Sequence, residues 1–333
     1  MQPSALKVVD LFCGVGGVSA GARKGGHQIL LMVDAWQEVL RCAENNFGGV
    51  SNMSGVDLCK VETGGAPLLL NMDLGSEDSK LALFKALRDL GVSRDEVHIH
   101  ASPPCTDLSA AKRGRITATK VDDAVRLVQW TLDLIFEYRP RGFSIENVPN
   151  LRLMEFLRSY RAQHPQEDID YHTMECRDYG VPQTRKRLVI GNAAMVQRLR
   201  THAPRHVTVR RAFADAYGHD LLPANYLKNN SYYAPVRKHH KSDESDESDK
   251  SEKSDANPKK VGRRSVDEMC FTVTASRAPS WCTEQCDTVR VLNSTELAVL
   301  QTFQIDWTLP GAQRDAVRAL GNAVPPSVAE AWF

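Results

Sequence analysis

A short β-prone segment in this chain runs directly into two prolines and a cysteine, Val-His-Ile-His-Ala-Ser-Pro-Pro-Cys at residues 97–105. Each proline fixes its φ at about −65° and lacks a backbone N–H, so a strand cannot continue through the pair. The sequence therefore predicts a strand over 97–100, followed by a rigid turn that carries Cys105. In open α/β sheets ligands bind at this carboxyl edge, whereas an isolated cysteine is more often a small buried hydrophobe.

The N-terminal residues also predict a strand that ends in a turn. Residues 7–12 (Lys-Val-Val-Asp-Leu-Phe) are typical of a buried strand, and Cys-Gly-Val-Gly-Gly follows at 13–17, before a helix-like segment. Glycines let the backbone approach a ligand, and the N-terminus of the following helix favours acidic groups. The spacing is not the G-x-G-x-x-G fingerprint of dinucleotide-binding folds, which argues against a nicotinamide dehydrogenase. An ordinary tight turn is the alternative interpretation.

Strand and helix signals alternate through the first 191 residues. The patterns predict a strand over 28–33, a helix ending near Phe47, a Gly-, Ser- and Asn-rich loop over 51–70, helices over 77–90 and 122–138, and a strand over 142–150. Such alternation is typical of an α/β fold with a doubly wound parallel sheet. Residues 292–303 predict a further helix, capped by Asn293 or Ser294.

Three acidic residues lie where such a fold can use them. Asp34 follows the second strand, where nucleotide-binding folds hold ribose hydroxyls, although it also precedes a helix and suits an N-cap. Asp73 has a suitable position for a contact to an adenine amino group. Glu146 lies within the apolar strand over 142–150, where an ionisable side chain is costly unless it is paired or used in chemistry.

Basic residues are concentrated in two stretches. Residues 106–120 form a small-residue loop with three cations around Gly114, namely Lys112, Arg113 and Arg115. This stretch is either a solvated surface loop or a mobile lid that holds phosphates. From 192 to about 264 basic residues are frequent and apolar periodicity fades. Within this region the Ser/Asp/Glu-rich tract at about 238–260 has the composition of a disordered segment. We therefore divide the chain into an α/β part at 1–191, a basic region at 192–265 and a C-terminal segment at 266–333.

The overall composition is that of a globular protein and excludes some classes. The net charge is +1, from 42 Lys and Arg against 41 Asp and Glu, so any charged patch is local. No apolar run reaches the roughly 18 residues of a membrane span, and the N-terminus lacks the apolar core of a signal peptide. The eight cysteines are scattered and form neither a zinc quartet nor a disulfide framework. We expect no metal and a reducing intracellular compartment, either cytoplasm or nucleus.

Five motifs occur together in the chain: Asp-Leu-Phe-Cys-Gly-x-Gly-Gly (10–17), Pro-Pro-Cys (103–105), Glu-Asn-Val (146–148), Gln-Thr-Arg-Lys-Arg (183–187) and Gly-Asn-Ala-Val (321–324). In this order they resemble the cytosine-C5 methyltransferases, over nearly the whole chain apart from 192–264. The resemblance implies a Rossmann-like sheet that uses S-adenosyl-L-methionine, with a small inserted target-recognition domain. The implied reaction is methyl transfer to C5 of cytosine in double-stranded DNA.

The resemblance also implies roles for the side chains around the base. Cys105 adds to C6 of a cytosine that is flipped out of the duplex, and this addition makes C5 nucleophilic. Glu146 binds N3 and the exocyclic amine, Arg187 holds O2, and Arg185 supports the site. The loop over 109–120 closes over the base, and the region over 192–264 contacts the flanking DNA.

A pocket for the methyl donor is implied by the same resemblance. An aromatic ring packs on the adenine, the glycine turn approaches the methionine part, and carboxylates take the ribose hydroxyls and the adenine amine. The implied cofactor-binding residues are Phe12, Gly14, Gly16, Gly17, Asp34, Asp73, Asn322 and Val324. The last two return from the C-terminus to close the pocket. Members of the family are mostly monomeric on their substrate, and no membrane partner is expected.

Two positions depart from the family pattern. Thr106 replaces the usual Gln after Pro-Pro-Cys, and Ala35 follows Asp34 where a bulky residue is common. A tRNA cytosine-C5 methyltransferase is the closest alternative, because a subgroup with these motifs has a small recognition region and a Cys-Phe-Thr tripeptide like that at 270–272. A catalytically silent DNA-binding homologue is the second alternative, and the intact catalytic motifs argue against it.

Overall fold

The computed structural model describes residues 5–51, 65–105, 108, 118–219, 222–229 and 262–333. Its largest element is an eight-stranded sheet. The strands are β1 (Lys7–Leu11), β2 (Gln28–Asp34), β3 (Val50–Ser51), β4 (Leu68–Asn71), β5 (Val97–Ala101), β6 (Gly142–Asn147), β7 (Asp170–Glu175) and β8 (Lys186–Gly191). Their order is β3-β4-β2-β1-β5-β6-β8-β7. Strands β1 to β6 pair in parallel, whereas β8 runs antiparallel to both of its neighbours.

Helices cover both faces of this sheet. The helices are α1 (Gly17–Lys24), α2 (Gln37–Phe47), α3 (Glu77–Asp89), α4 (Ala118–Tyr138), α5 (Leu151–Gln163), α6 (Ala193–Arg200), α7 (Val209–Tyr217), α8 (Ser294–Leu300), α9 (Gln313–Asn322) and α10 (Pro326–Glu330). Leu83 of α3 and Leu132 of α4 share one core with Val9 of β1, and Ala22 of α1 lies in another with Val8. Adjacent strand residues thus face opposite layers, as in a strand buried on both sides. Within the described residues, no helix combines the length and apolarity that a membrane span requires.

The predicted doubly wound α/β sheet is confirmed by this arrangement. After β1 the chain builds one half of the sheet with β2, β3 and β4, and β5 then begins the other half beside β1. Because the strand order reverses between β1 and β5, their carboxyl ends form the crevice in which such sheets bind ligands. The glycine turn after β1 and the Pro-Pro-Cys turn after β5 therefore flank one crevice.

Most of the predicted elements are present, although the strand predicted over 142–150 ends at Asn147 and one predicted loop is partly wrong. The helix over 77–90 and the strands over 28–33 and 97–100 are confirmed, and Asn293 caps α8. The loop predicted over 51–70 is wrong at its end, because Leu68, Leu69 and Leu70 form β4 between β3 and β2. A strand buried on both faces lacks the alternation that identifies strands in sequence. Outside the described residues lie Thr106, positions 109–117 of the predicted lid and the predicted disordered tract at about 238–260.

A second, smaller sheet lies in the C-terminal half of the chain. Its strands are β9 (Tyr226–Lys228), β10 (Arg263–Ser265), β11 (Ser280–Cys282) and β12 (Thr288–Val291). They are antiparallel in the order β10-β9-β11-β12, and Leu227 and Trp281 share a core with residues of α7 and α8. Two of these strands precede residue 266 and two follow it, while α6 packs on β7 and β8 of the large sheet. The predicted division of the chain at 192 and 266 therefore stays a prediction.

The C-terminal segment returns to the start of the chain. Helix α10 packs along α1, and two glycines of α1 make the close approach possible. A Cβ at Gly17 would lie 2.0 Å from the carbonyl oxygen of Val324, and one at Gly21 would lie 2.4 Å from that of Pro326. A larger residue at either glycine would force the segments apart. The N-terminal and C-terminal motifs are therefore joined through this contact.

Two histidines of β5 are buried in the centre of the large sheet. His98 and His100 both contact Ser144 of β6. Burial, with smaller contributions from His27 and Arg198, lowers the pKa of His98 to about 3. Burial and the neighbouring His98 lower the pKa of His100 well below its ordinary value. Both imidazoles are therefore neutral at physiological pH.

We expect the substitution His98→Gln to make folding less sensitive to acid. Below about pH 6.5 the unfolded chain binds a proton at His98, whereas the folded chain does so only near pH 3, so acid favours unfolding in this interval. The stability deficit of the variant relative to the parent should therefore shrink by about 2 kcal/mol between pH 7 and pH 5. Asp10, whose pKa is raised by burial to about 7, acts with the opposite sign but equally in both proteins. Urea unfolding at the two pH values measures the difference, and a constant deficit would contradict this expectation.

Candidate active site

Cys105 lies at the end of the turn that follows β5, and neighbouring side chains hold this turn. Asn147, at the end of β6, donates from Nδ2 to the carbonyl of Pro103 (3.2 Å), and Asn150 donates to the carbonyl of Leu108 (2.9 Å). The N–H of Leu108 in turn donates to the carbonyl of Cys105 (3.0 Å). Because the two prolines offer no N–H, the turn depends on contacts from outside itself.

Glu146 and Arg187 form a buried ion pair close to this turn. Glu146 is on β6 and Arg187 is on the adjacent β8, and Nε of the arginine lies 2.6 Å from Oε1 of the carboxylate. The two side chains are only 7% and 11% exposed, respectively. Burial raises the pKa of Glu146, while the positive charges of Arg187 and Arg185 oppose the rise. Glu146 therefore holds a proton more readily than an exposed carboxylate does.

Cys105 interacts electrostatically with the same groups. Burial and the negative charge of Glu146 raise the pKa of the Cys105 thiol, and the charges of Arg187 and Arg185 only partly oppose the rise. The thiol is therefore mainly protonated at neutral pH. Since Glu146 disfavours the thiolate, neutralising this carboxylate would make Cys105 a better nucleophile.

Arg185 is fully buried and joins the site to the C-terminal segment. Its Nη1 donates to the carbonyl of Val273 (2.8 Å), and its Nη2 donates to the carbonyls of Gly321 and Ala323 (both 2.9 Å). Burial and the nearby charge of Arg187 lower the pKa of Arg185 to about 10, so the guanidinium stays charged at neutral pH. The contacts fix the start of β8 against the segment that returns to α1.

Asp34 connects the second strand to the glycine turn. Its carboxylate accepts hydrogen bonds from the backbone N–H groups of Gly14 and Trp36 (both 2.8 Å). Burial raises the pKa of Asp34 against the effect of these hydrogen bonds. The predicted N-cap role of Asp34 is wrong, because α2 begins at Gln37 and its N-cap is Trp36, with no side-chain capping hydrogen bond. Asp73 is exposed, two residues beyond β4.

The glycine turn is closed towards the protein and open on another side. Gly14 and Gly16 have φ of +52° and +82°, and Phe12 has φ of +56°, a left-handed conformation that is uncommon for such a residue. A Cβ at Gly16 would lie 2.6 Å from the ring of Phe47. By contrast, no described atom lies within 4 Å of a Cβ built on Gly14. Asn322, the last residue of α9, is exposed, whereas Val324 is buried.

Comparison with known proteins connects this arrangement to an enzyme family. The family model for the C-5 cytosine-specific DNA methylases matches residues 85–333, well over half of the chain. The chain belongs to the C-5 cytosine-specific DNA methylase family. Its activity is the transfer of a methyl group to C5 of cytosine in DNA.

Named relatives of this methylase are similar along almost their whole length. The type II methyltransferase M.HindV of Haemophilus influenzae is 24% identical over 98% of this chain and 94% of its own length. The type II methyltransferase M.HgiDI of Herpetosiphon aurantiacus is 24% identical over 97% of this chain and 92% of its own length. The large sheet and the small sheet therefore both fall within the matched region.

Two solved structures have the same fold. A putative DNA modification methyltransferase from an E. coli prophage has a TM-score of 0.59 and 21% identity, over 98% of this methylase and 97% of that chain. A variant of Spodoptera frugiperda DNMT2 has a TM-score of 0.58 and 13% identity, over 98% of each chain. At such identities the likeness concerns the fold alone.

The residues around the glycine turn fit S-adenosylmethionine as a methyl donor. Asp10 accepts hydrogen bonds through Oδ2 from the N–H (3.2 Å) and hydroxyl (2.6 Å) of Ser19. Its other oxygen, Oδ1, is buried and has no hydrogen-bond partner among the described residues. This oxygen and the carboxylate of Asp34 suit the ammonium and hydroxyl donors of the cofactor. The open side of Gly14 leaves room for such a ligand.

The four side chains predicted to act on the base are brought together. Arg185 and Arg187 both act electrostatically on Cys105 and Glu146, as expected for two arginines on one face of an extended segment. The sequence analysis does not predict the three side chains that support them: Asn147, Asn150 and Gln183. Asn147 and Gln183 lie inside the motifs at 146–148 and 183–187, and Asn150 lies two residues beyond the first of these, so their spacing from Glu146 and Arg187 was an available signal.

Gln301 is a further supporting residue, and it gave no signal in the sequence. Gln183 donates from Nε2 to Oε1 of Gln301 and to the carbonyl of Leu300 (both 2.8 Å), and its own Oε1 accepts from the N–H of Val273 (2.9 Å). Gln301 also donates to the carbonyl of Leu320. These bonds join the segment before β8 to α8 and α9, across contacts that only the folded chain creates.

Proposed function

We propose that this methylase uses Cys105 as the nucleophile and Glu146 as the proton donor to cytosine N3, with S-adenosyl-L-methionine as the methyl donor. The observation that carries the proposal is the electrostatic coupling of Cys105, Glu146 and Arg187 where β5 and β6 end and β8 begins. Cytosine C5 is a weak nucleophile until another group adds to C6, so the reaction needs a thiolate and a proton donor together.

One proton on Glu146 couples substrate binding to activation of the thiol. Protonated Glu146 donates a hydrogen bond to N3, and in this neutral form it no longer raises the pKa of Cys105. The thiol then releases its proton to solvent, while Arg187 and Arg185 favour the thiolate. The sulfur bonds to C6, the C5–C6 π electrons shift to C4–C5, and the pair displaced from C4–N3 takes the Glu146 proton.

The remaining steps are methyl transfer to C5, loss of the C5 proton and release of Cys105. When bound, S-adenosylmethionine would supply an electrophilic methyl group to C5, which the addition has made electron-rich. The C5 proton then leaves to solvent, the Cys105 thiolate is eliminated from C6, and N3 returns its proton to Glu146. Arg187 would donate to the cytosine O2 while paired with Glu146, and Arg185 would keep the start of β8 in place.

The methyl donor is assigned to the crevice between β1 and β5. We propose that the ribose hydroxyls contact Asp34, that the methionine part lies along the glycine turn and that the adenine packs on Phe12 and contacts Asp73. The residues proposed from the sequence are Phe12, Gly14, Gly16, Gly17, Asp34, Asp73, Asn322 and Val324, and the structure adds Asp10, whose buried Oδ1 has no partner among the described residues. Support comes from the open side of Gly14, the hydrogen bond from Gly14 to Asp34 and the contact of Val324 with Gly17.

Double-stranded DNA is the proposed partner, bound by one copy of the chain. A cytosine in a duplex must be flipped out to reach a half-buried thiol, at a cost of a few kcal/mol. Family membership supports DNA, and a DNA substrate supports the predicted intracellular location. Basic residues of the 192–264 region would contact phosphates, which set position rather than sequence preference. Arg200, Arg210 and Arg211 are each paired with a carboxylate, which phosphates would have to replace.

The proposal is tested by methyl transfer from labelled S-adenosylmethionine, offered in parallel to mixed-sequence duplex DNA and to total tRNA. We expect label in DNA only, and bisulfite sequencing should then find 5-methylcytosine in one repeated sequence context. Label in tRNA alone would contradict the proposed substrate. Incorporation that depends on another methyl donor would contradict the proposed cofactor.

We expect Asp34→Ala to weaken S-adenosylmethionine binding by roughly tenfold to a hundredfold, because it removes the charge-assisted hydrogen bonds between this carboxylate and the ribose hydroxyls of the cofactor. Isothermal titration calorimetry measures the dissociation constant directly. Asp168→Ala is the matched control, since Asp168 also accepts a backbone N–H at the start of a helix, from Ala193 (3.0 Å). Equal effects of the two substitutions would remove Asp34 from the proposed cofactor site.

A further inference from the structure

A network of hydrogen bonds joins two buried histidines to the turn that carries Cys105. The hydroxyl oxygen of Ser144 lies 2.9 Å from Nε2 of His98 and 2.9 Å from Nδ1 of His100. On its other side, Nε2 of His100 lies 2.8 Å from the hydroxyl oxygen of Ser102. Ser102 is the first residue of the Ser-Pro-Pro-Cys turn. We call His98, Ser144, His100 and Ser102 the histidine–serine network.

The network has two proton arrangements, and each runs in one direction. The Ser144 hydroxyl donates to one imidazole and accepts an N–H from the other. If it donates to His100, then His100 donates from Nε2 to Ser102. If it donates to His98, then His100 donates to Ser144 and the Ser102 hydroxyl donates to His100. Both arrangements need neutral imidazoles. In both of them the Ser102 hydroxyl forms a hydrogen bond with the buried ring of His100.

Aromatic rings and burial hold the network in place. The ring of His100 stacks on Trp332 with centroids 5.0 Å apart, and the ring of His98 meets Phe333 edge-on at 4.7 Å. His98, His100 and Ser144 are all buried. Hydrogen bonds in such surroundings are stronger than at the surface, and they polarise one another along a chain. The network is therefore a firm attachment for Ser102.

The turn needs such an attachment because its own backbone provides little. Two of its four residues are prolines, which cannot donate. The N–H of Ser102 donates to the carbonyl of Leu11 (3.1 Å), at the end of β1, and Asn147 holds the carbonyl of Pro103 from β6. Ser102 therefore connects three parts of the protein: the end of β1, the histidine–serine network and the turn that carries Cys105.

We propose that His98, Ser144 and His100 are positioning residues, which act through Ser102 to fix the turn in the orientation that Cys105 needs for attack on C6. This inference rests on the proposed role of Cys105. Removing the Ser144 hydroxyl breaks the network at its centre and changes little volume. A misplacement of about 1 Å in a reacting group can cost about a hundredfold in rate.

The test compares Ser144→Ala, Ser102→Ala and Ser102→Thr with a matched control, Thr131→Val. Thr131 is fully buried on α4 and its hydroxyl donates to the carbonyl of Leu127 (2.8 Å), so the control loses one buried hydroxyl elsewhere. Two quantities are measured: kcat and KM for methyl transfer, and the rate at which iodoacetamide alkylates Cys105 in the substrate-free protein, followed by peptide mass spectrometry.

We expect Ser144→Ala and Ser102→Ala to lower kcat by about tenfold to a hundredfold and to alkylate at least about threefold faster, because the turn is released. KM for S-adenosylmethionine should stay within about twofold, and Ser102→Thr and Thr131→Val should behave as the parent.

If Ser144→Ala does not fold, the comparison of Ser102→Ala with Ser102→Thr decides the test. Alanine variants that match Thr131→Val in both quantities would overturn the inference. If Cys105 is not the nucleophile, the Cys105→Ser variant will still transfer methyl groups. The alkylation rates of the Ser144 and Ser102 variants would test the network even then.

Discussion

Cys105→Ser is expected to lower methyl transfer to DNA by at least about a thousandfold, while S-adenosylmethionine binding stays within about twofold of the parent. A serine hydroxyl is a much weaker acid than a thiol and would stay protonated at this position, and the neighbouring carboxyl of Glu146 cannot act as its base because the proposed reaction needs Glu146 protonated at N3. The turn should keep its shape, because the side chains that hold it are those of Ser102, Asn147 and Asn150, and none of these contacts involves the Cys105 thiol. Label incorporation and calorimetric titration with the cofactor measure the two quantities.

Cys176→Ala provides the matched control for this substitution. Cys176 is also a buried thiol that interacts with Arg187, Arg185 and Glu146, and burial raises its pKa to about 11. It lies after β7 and plays no part in the proposed reaction, so its removal should leave methyl transfer within a few fold. Loss of cofactor binding in Cys105→Ser would instead point to a structural cysteine. Equal loss of activity in both variants would point to a general effect on the pocket.

Glu146→Gln is expected to change two reactions of Cys105 in opposite directions. Methyl transfer should fall by about a hundredfold to ten-thousandfold, because glutamine cannot give a proton to N3. Alkylation of Cys105 by iodoacetamide at neutral pH should become faster, because the carboxylate that raises the thiol pKa has gone. A pH profile of alkylation should move to lower pH. Unchanged or slower alkylation would contradict the proposed coupling through Glu146.

Glu296→Gln separates this effect from the simple loss of a buried carboxylate that is paired with an arginine. Glu296 is a buried carboxylate paired with Arg290 (2.7 Å), and it also accepts a hydrogen bond from the indole of Trp281 (3.0 Å). Glu146→Gln removes the partner of Arg187, which is buried, whereas Glu296→Gln removes that of Arg290, which is 43% exposed and stays hydrated, so the first variant should lose more stability. Both variants should therefore unfold more easily, but only Glu146→Gln should change kcat at saturating DNA and the alkylation of Cys105.

The crevice was predictable because its residues are fixed by backbone chemistry. The two prolines at 103 and 104 end β5 in any sheet, and the glycines at 14 and 16 permit a turn that other residues avoid. Once β1 and β5 are placed side by side, their two turns must meet. The clustering of Cys105 with Glu146 follows from the adjacency of β5 and β6, which the alternation of elements does not specify.

The supports of the site were not predictable from local pattern. The run of leucines at 68–70 looked like part of a loop, because a strand buried on both faces shows no alternation. The family resemblance assigned Arg185 to the site, but no local pattern indicated that its guanidinium is buried against carbonyls of residues 88 to 138 positions away. His98 and His100 likewise gave only a β-prone segment. Each of these roles depends on partners that are distant in the chain.

The central claim is that Cys105 forms a bond to C6 of a flipped cytosine, and trapping of that adduct tests it most directly. Duplex DNA with 5-fluorocytosine in the target context is incubated with the protein and S-adenosylmethionine. Fluorine at C5 leaves no proton to remove after methyl transfer, so the thiolate cannot be eliminated. We predict one covalently bound DNA per protein, attached to the peptide that contains Cys105. Absence of any adduct, or an adduct at another residue, in protein that methylates ordinary duplex DNA would contradict the claim.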